Sequence, residues 1–241
     1  MKALVQDKQF VTEEIFILWL EIDNIKKDPV PGQFFMLGTG VTFLKRPFTP
    51  CDVSGNLIRF AIKIKGRGTK WLSQRNKGDS IEITGPWGNG VKKIKGKRIG
   101  VVGGGTGVAP LLYLIKFFED KKFYSFLGAK TERELLFLEE FEFFSEKVVY
   151  ATQDGTKGKK GLIVDFLKDD FDEVYACGPW EMLSAVKKRI KHGKKYGFIE
   201  KEIWCGAGLC MGCGVKREDG SYIRICSDGP VISLDEVKFE P

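Results

Sequence analysis

The chain has 241 residues, 43% hydrophobic and 29% charged, with a formal net charge of +7 at pH 7. That balance excludes a disordered chain and is enough to fill two ordinary domains plus a small appendage. The surplus of positive charge does not indicate nucleic acid: lysines are scattered among acids, and no nucleic-acid motif accompanies short loops such as Lys92-Lys93 or 157–160.

An anionic cofactor or an acidic partner accounts for the charge equally well. The N-terminus, MKALVQDKQF, has neither an apolar h-region nor a small-residue cleavage site, so secretion is not indicated and a cytoplasmic protein is expected. The longest uncharged run, 99–115, is interrupted by glycines at 103, 104, 105 and 107 and is too short for a comfortable membrane span.

Residues 1–96 read as β. The stretches 15–20, 57–62 and 80–83 are short and rich in β-branched or aromatic residues. Asp28-Pro29, Pro31-Gly32, Ser54-Gly55-Asn56, Lys77-Gly78-Asp79 and Gly85-Pro86 punctuate them as turns. Many short strands with regular turns predict an antiparallel barrel or sandwich. Cys51, isolated in this segment, is expected to be packing.

From Lys97 to residue 198 the pattern alternates. Strands are expected at 98–102, 123–127, 147–151 and 174–177, and helices at 110–118, 132–144, 162–167 and 180–191. This is the signature of a parallel sheet with crossover helices. Gly103 to Gly107 form a glycine turn between the first strand and its helix, where backbone N–H groups receive phosphates. Pro110 fits the first helical position. The string departs from G-x-G-x-x-G because Val108 stands at the last glycine's place, and no triphosphate loop is present. Cys177-Gly178-Pro179 ends the fourth strand, where the carboxyl edge of such a sheet faces a ligand; a buried structural cysteine is the competing reading. His192, the sole histidine, has no Ser or Asp constellation in the sequence around it, which argues against Ser-His-Asp hydrolase chemistry.

Residues 199–241 form a third, small unit with Cys205, Cys210, Cys213 and Cys226 in the pattern C-x4-C-x2-C-x12-C. That is the spacing of plant-type [2Fe–2S] sites, and Gly206, Gly208, Gly212 and Gly214 remove side chains that would crowd a ligand. A four-thiolate zinc knot is the alternative, although zinc sites usually pair their ligands twice at short spacing, and here the fourth cysteine stands alone. Such a unit is expected to need its metal to fold.

Three strings then fall in a familiar order. Arg46-Pro47-Phe48-Thr49 resembles the RPxS/T flavin motif of the ferredoxin–NADP reductase superfamily, GGGTGVAP at 103–110 its nicotinamide-nucleotide turn, and Cys177-Gly178-Pro179 its CGP motif. With the C-terminal cysteines, the chain resembles over essentially its full length the electron-transfer subunits of NAD-dependent dihydroorotate dehydrogenases. The resemblance implies an FAD-binding β-barrel at 1–96, an NAD-binding α/β domain at 97–198 and a [2Fe–2S] domain at 199–241. Arg46 would pair with the flavin pyrophosphate and Thr49 would offer a hydroxyl near the flavin N5. Ala61, Ile62 and Lys63 match a second flavin segment, and Gly68 and Thr69 match the turn that receives its phosphates. Gly103, Gly105, Thr106, Gly107, Asp154, Cys177, Gly178 and Pro179 fall on the nicotinamide side.

Thr49 replaces the family's frequent serine and keeps the hydroxyl. The residues leave NAD against NADP open, because no acid ends the second strand and Lys130 or Arg133 could meet a 2′-phosphate; the resemblance favours NAD. It also implies a catalytic partner that carries FMN and oxidises dihydroorotate, two copies of each subunit, and electrons passing from that FMN through the cluster and FAD to NAD. No side chain of this chain is expected to act as a catalytic acid or base. Flavin subunits of a ferredoxin:NADP transhydrogenase, a sulfhydrogenase or a glutamate synthase-like complex share these motifs, and a zinc-stabilised nucleotide-binding module is a remote alternative.

Overall fold

The computed structural model describes residues 1–23, 25 and 28–240. Seven strands make the first sheet: β1 (Lys2–Phe10), β2 (Ile15–Ile22), β3 (Phe34–Leu37), β4 (Arg46–Phe48), β5 (Asp52–Ser54), β6 (Leu57–Lys63) and β7 (Ser80–Trp87). Their order is β4-β3-β7-β1-β2-β6-β5 and every pairing is antiparallel. The sheet curls because one face is apolar. Phe16, Leu18, Leu20, Phe35, Ile58, Phe60, Ile62 and Ile83 close on one core, with Leu72 of helix α1 (Arg67–Ser73) plugging it. Each fully buried Phe or Leu contributes roughly 1.5–3 kcal/mol to that closure.

The second sheet contains β8 (Arg98–Gly104), β9 (Lys122–Ala129), β10 (Lys147–Thr152), β11 (Lys159–Lys160), β12 (Glu173–Cys177) and β13 (Lys194–Phe198). The order is β11-β10-β9-β8-β12-β13, all parallel, and β16 (Val231–Ser233) adds an antiparallel edge. Strand order reverses between β8 and β12, the switch point at which open α/β sheets leave a crevice beyond their carboxyl ends. Helices α2 (Val108–Phe117), α3 (Leu138–Phe144) and α4 (Trp180–Arg189) cover the sheet. A two-stranded hairpin, β14 (Gly214–Lys216) with β15 (Tyr222–Arg224), belongs to the cysteine-bearing tail. That tail then returns β16 to the second sheet, so it is stitched into the nucleotide unit. No helix among the described residues is long and apolar enough to cross a membrane.

Several expectations are corrected. Pro110 is the third residue of α2, not the first; its missing N–H still falls among the donors that a helix start leaves unpaired. The helix expected at 132–144 is broken into a 3-10 turn at Glu132–Glu134 and α3, because Phe137 sits in the left-handed region at φ 60°. The segment 162–167 is a 3-10 turn, Ile163–Phe166. Gly68 and Thr69 lie in the first turn of α1, not in an isolated turn. Strand β13 was hidden among lysines. His192 does have an acidic neighbour: Asp169 accepts from the backbone N–H groups of Lys191 and His192 and lies 2.9 Å from His192 Nδ1. That pair pins an exposed turn before β13.

The barrel and the α/β unit are joined by ion pairs. Arg59 on β6 donates to both carboxylate oxygens of Glu140 on α3, at 3.0 and 2.6 Å, and stacks 5.0 Å from the Phe137 ring centroid. Lys116 on α2 pairs with Asp52 on β5. Cys51, fully buried beside this network, donates its thiol to the Arg59 carbonyl at 3.2 Å; burial pushes its pKa up to about 12, and its place is that of a packing residue.

Candidate functional site

Two cavities meet where barrel and α/β unit join. The first, about 670 Å³, is lined by Arg46, Pro47, Phe48 and Thr49 of the β4 segment, by Ala61 and Lys63 of β6, and by Gly68 and Thr69 of α1. Strand alternation decides which side chains reach it. Along β6, Ile58, Phe60 and Ile62 point into the barrel and Leu57, Arg59, Ala61 and Lys63 point out. Ile62, expected at the cofactor, is therefore a core residue. Thr69 Oγ1 accepts from the backbone N–H groups of Lys65 and Gly66 at 2.9 and 3.1 Å, so it shapes the turn while lining the cavity.

The second cavity, about 660 Å³, opens at the switch point. Gly105, Thr106, Gly107, Gly178 and Pro179 line it, together with Gly128, Lys130, Glu134 and Trp180. A Cβ on Gly107 would come within 2.5 Å of the Cys177 carbonyl oxygen, so only glycine lets the turn close against the end of β12. Gly105 has φ +55° and open space where a Cβ would stand. Gly103 does not line the cavity; it is needed for packing, since a Cβ there would lie 2.6 Å from Val108. Cys177 lines neither cavity. It is buried under α2, and burial pushes its thiol pKa well up. Asp154 also lies outside both cavities: its carboxylate accepts from the backbone N–H and hydroxyl of Thr156 and caps an exposed loop.

Lys63, Lys65, Thr106 and Glu200 belong to both cavity walls. Sequence reasoning passed over Lys65, Glu200, Arg67 and Lys201, because nothing local marks them. Glu200 is accessible to the cavity solvent, yet protein surrounds it on the other sides, and this burial raises its carboxyl pKa against the pull of Lys65.

The residues fit the groups that the motifs imply. The first cavity combines the cations Arg46, Lys63, Lys65, Arg67 and Lys201 with apolar walls from Phe34, Ala109, Ile199 and Ile203, which suits a pyrophosphate joined to a flat aromatic ring. The second presents a glycine-lined backbone at the sheet switch point, which suits a second dinucleotide.

The four thiols stand as two pairs. Cys205 and Cys210 are exposed neighbours, and Cys213 and Cys226 are buried neighbours. Backbone N–H groups donate to sulfur from Gly208 to Cys226 at 3.1 Å, Gly212 to Cys210 at 3.4 Å, Cys226 to Cys213 at 3.4 Å and Ala207 to Cys205 at 3.5 Å. The Ala207 bond is the largest influence holding the Cys205 thiol down at about 6, while burial raises Cys226 to about 12. Among the described residues no three metal-ligating side chains gather around one point. Two thiol pairs with donors aimed at sulfur fit a two-iron cluster, one pair to each iron.

The buried pair shares a core with Phe34, Ile199 and Ile203, the same residues that wall the first cavity. Asn89, just beyond β7, donates to the Ser227 carbonyl at 2.9 Å and so ties the barrel to the segment after Cys226.

Comparison with known proteins agrees with this geometry. Residues 200–238 match the model of the iron–sulfur cluster binding domain of dihydroorotate dehydrogenase B, and residues 101–188 that of the oxidoreductase NAD-binding domain. The dihydroorotate dehydrogenase B (NAD(+)) electron transfer subunit of Caldanaerobacter subterraneus subsp. tengcongensis is 42% identical, over 99% of this chain and 98% of that protein. The subunit of the same name from Bacillus velezensis is 33% identical over 97% and 96%. A chain from the solved structure of an NADH-dependent reduced ferredoxin-NADP oxidoreductase superposes with a TM-score of 0.89 at 27% identity, covering 98% of this chain and 90% of that one. The chain belongs to the family of dihydroorotate dehydrogenase B electron transfer subunits, oxidoreductase components that work with FAD, a [2Fe–2S] cluster and NAD.

Proposed function

We propose that this chain relays electrons between a dihydroorotate-oxidising catalytic subunit, itself carrying FMN, and NAD in the cytoplasm, as one half of a two-plus-two heterotetramer. The observation that carries the reading is spatial continuity. Phe34, Ile199 and Ile203 wall the first cavity and pack in the core that holds Cys213 and Cys226, and the first cavity shares Lys63, Lys65, Thr106 and Glu200 with the second.

In this reading the barrel spans 1–96, the nucleotide unit 97–198 and the cluster-bearing tail 199–241. Arg46 would hold the pyrophosphate of FAD, Thr49 would offer its hydroxyl to the flavin, and Ala61 would form part of the wall around it. Gly105, Thr106, Gly107, Gly178 and Pro179 would hold NAD, and Cys205, Cys210, Cys213 and Cys226 would hold the iron. When bound, the flavin supplies exchange between the single electrons of an iron–sulfur cluster and the hydride of nicotinamide. The chain's own work is to position, shield and tune. The apolar side chains of the shared core would exclude water beside the bound groups, and the cationic wall would stabilise their phosphates.

The partner would dock over the cluster loop, where Trp204, Leu209, Met211 and Tyr222 expose 54%, 84%, 51% and 59% of their surfaces beside the thiols. Such an apolar patch suits a protein interface. Co-expression with an FMN-containing dihydroorotate-oxidising subunit should give a co-purifying complex that reduces NAD at the expense of dihydroorotate. The likeness to the ferredoxin-NADP oxidoreductase chain supports a second reading, in which the partner is ferredoxin-dependent. Binding to that kind of partner alone, with no dihydroorotate-dependent NAD reduction, would overturn the first.

A further inference from the structure

Of the four N–H···S contacts around the thiols, the one from Gly208 to Cys226 is the shortest, 3.1 Å against 3.4–3.5 Å for the others, and its sulfur is buried. Gly208 itself has φ +77° in a loop without regular structure, so its own backbone preferences do not hold it there. What holds it is the end of β15. Arg224 Nη1 donates to the Gly208 carbonyl at 3.1 Å.

The guanidinium is in turn anchored. Nε and Nη2 donate to the two carboxylate oxygens of Asp228 at 3.1 and 3.2 Å, and the Arg224 backbone N–H donates to Asp228 at 2.9 Å. Ser227 Oγ donates to the same carboxylate at 3.1 Å. The Arg224 carbonyl accepts from the backbone N–H groups of Ser227 and Asp228 at 3.2 and 2.8 Å. Arg224 therefore links three parts of the loop system: the hairpin, the segment carrying Cys226, and the glycine whose N–H meets the Cys226 sulfur. Such a planar fork can serve a carboxylate and a carbonyl at once, which an ammonium cannot do with the same geometry.

We propose that Arg224 is a positioning residue for the iron–sulfur site: its grip on the Gly208 carbonyl fixes the N–H donated to Cys226, and this sets how firmly the cluster is kept and how easily it is reduced. The inference rests on the assignment of the four cysteines to a [2Fe–2S] cluster. A reduced cluster carries one more negative charge than an oxidised one, so donors aimed at its sulfurs favour reduction. Losing that donor moves the potential to more negative values.

Arg224→Lys is the decisive variant because it retains the charge and loses the fork. In the complete, iron-loaded protein it is expected to disfavour the reduced cluster about tenfold, ~59 mV for a one-electron couple, in a redox titration followed by electron paramagnetic resonance. It should also lose iron to a chelator several times faster than the unaltered chain. Arg224→Gln removes the charge as well and should shift further in the same direction. Flavin content should stay unchanged in both. If Arg224→Lys matches the unaltered chain in potential and in iron release, positioning is refuted, whether or not Arg224→Gln folds. Unaltered protein that contains no iron would instead refute the cluster assignment itself, so the two failures are distinguishable.

Discussion

The dinucleotide cavities and the thiol loop hold their ligands on different kinds of scaffold. Arg46, Ala61 and Lys63 project from paired strands, and Gly105 to Gly107 lie between a buried strand and a buried helix; their positions are set by the packed cores beneath them. Cys205 and Cys210 stand in 204–212, a run with no helix or strand, whose large side chains Trp204, Leu209 and Met211 face outward. The flavin and nucleotide sites are therefore expected to form without their ligands, whereas the thiol loop is expected to need its metal to fold. The largest effect should follow from removing a ligand. Cys226→Ser is expected to abolish bound iron and its visible absorption, while FAD stays near one per chain. Iron and flavin assays on one sample check this, and a variant that lost its flavin together with its iron would erase the contrast between the two regions.

The nucleotide cavity can be broken without touching the thiol loop. Gly107 has an ordinary φ of −64°, so alanine there suffers only from crowding against the Cys177 carbonyl and Gly178. Overpacking of this kind costs roughly 1–3 kcal/mol, and each 1.4 kcal/mol is about a tenfold change in affinity. Gly107→Ala should raise the Kd for NADH by about tenfold or more while iron and flavin contents stay unchanged. Titration of NADH against protein absorbance or fluorescence reads this directly. An unaltered Kd would mean that the turn can retreat from β12 without disturbing the nucleotide, and that this cavity is less rigid than its glycines imply.

How much of this was legible beforehand depended on whether the signal was local. The cysteine spacing, the glycine turn and the Arg46 to Thr49 string are each contiguous or nearly so, and the structure gathers them around two adjoining cavities and the core beside them. Strand alternation along 57–63 was also present in the sequence, and it would have separated Ala61 and Lys63 from Ile62. Strand β13 escaped notice because Lys194 and Lys195 mask it. Lys195 is nonetheless buried, with its charge met by Asp235 at 2.8 Å, a partner forty positions away. The break before α3 depends on a left-handed Phe137, whose ring lies under Arg59 of the other unit; no helical periodicity reports that. Phe34 and Ile203, which connect the cluster core to the first cavity, come from opposite ends of the chain. Asp154 had the right residue type, but its carboxylate is taken up by Thr156.

Glu200 offers the smallest and most specific test, because it belongs to both cavity walls and follows directly on β13 and Ile199. Its carboxyl pKa is raised by burial, so the folded protein holds that proton at pH values where the unfolded chain has released it. The sign follows from linkage. Over the interval between the ordinary glutamate pKa of about 4.3 and the raised one, the native state binds more protons, so stability falls as pH rises and the contribution is complete only below the ordinary value. Gln cannot titrate. Relative to Glu200→Gln, the unaltered chain should therefore lose melting temperature on going from pH 4 to pH 8, by only about a degree or two because cavity solvent screens the charge. Paired melting curves across that range measure the difference. A gap that stayed constant with pH, or moved in favour of the glutamate as pH rose, would show that Lys65 outweighs burial, and that the junction between the cavities accepts a negative charge without cost.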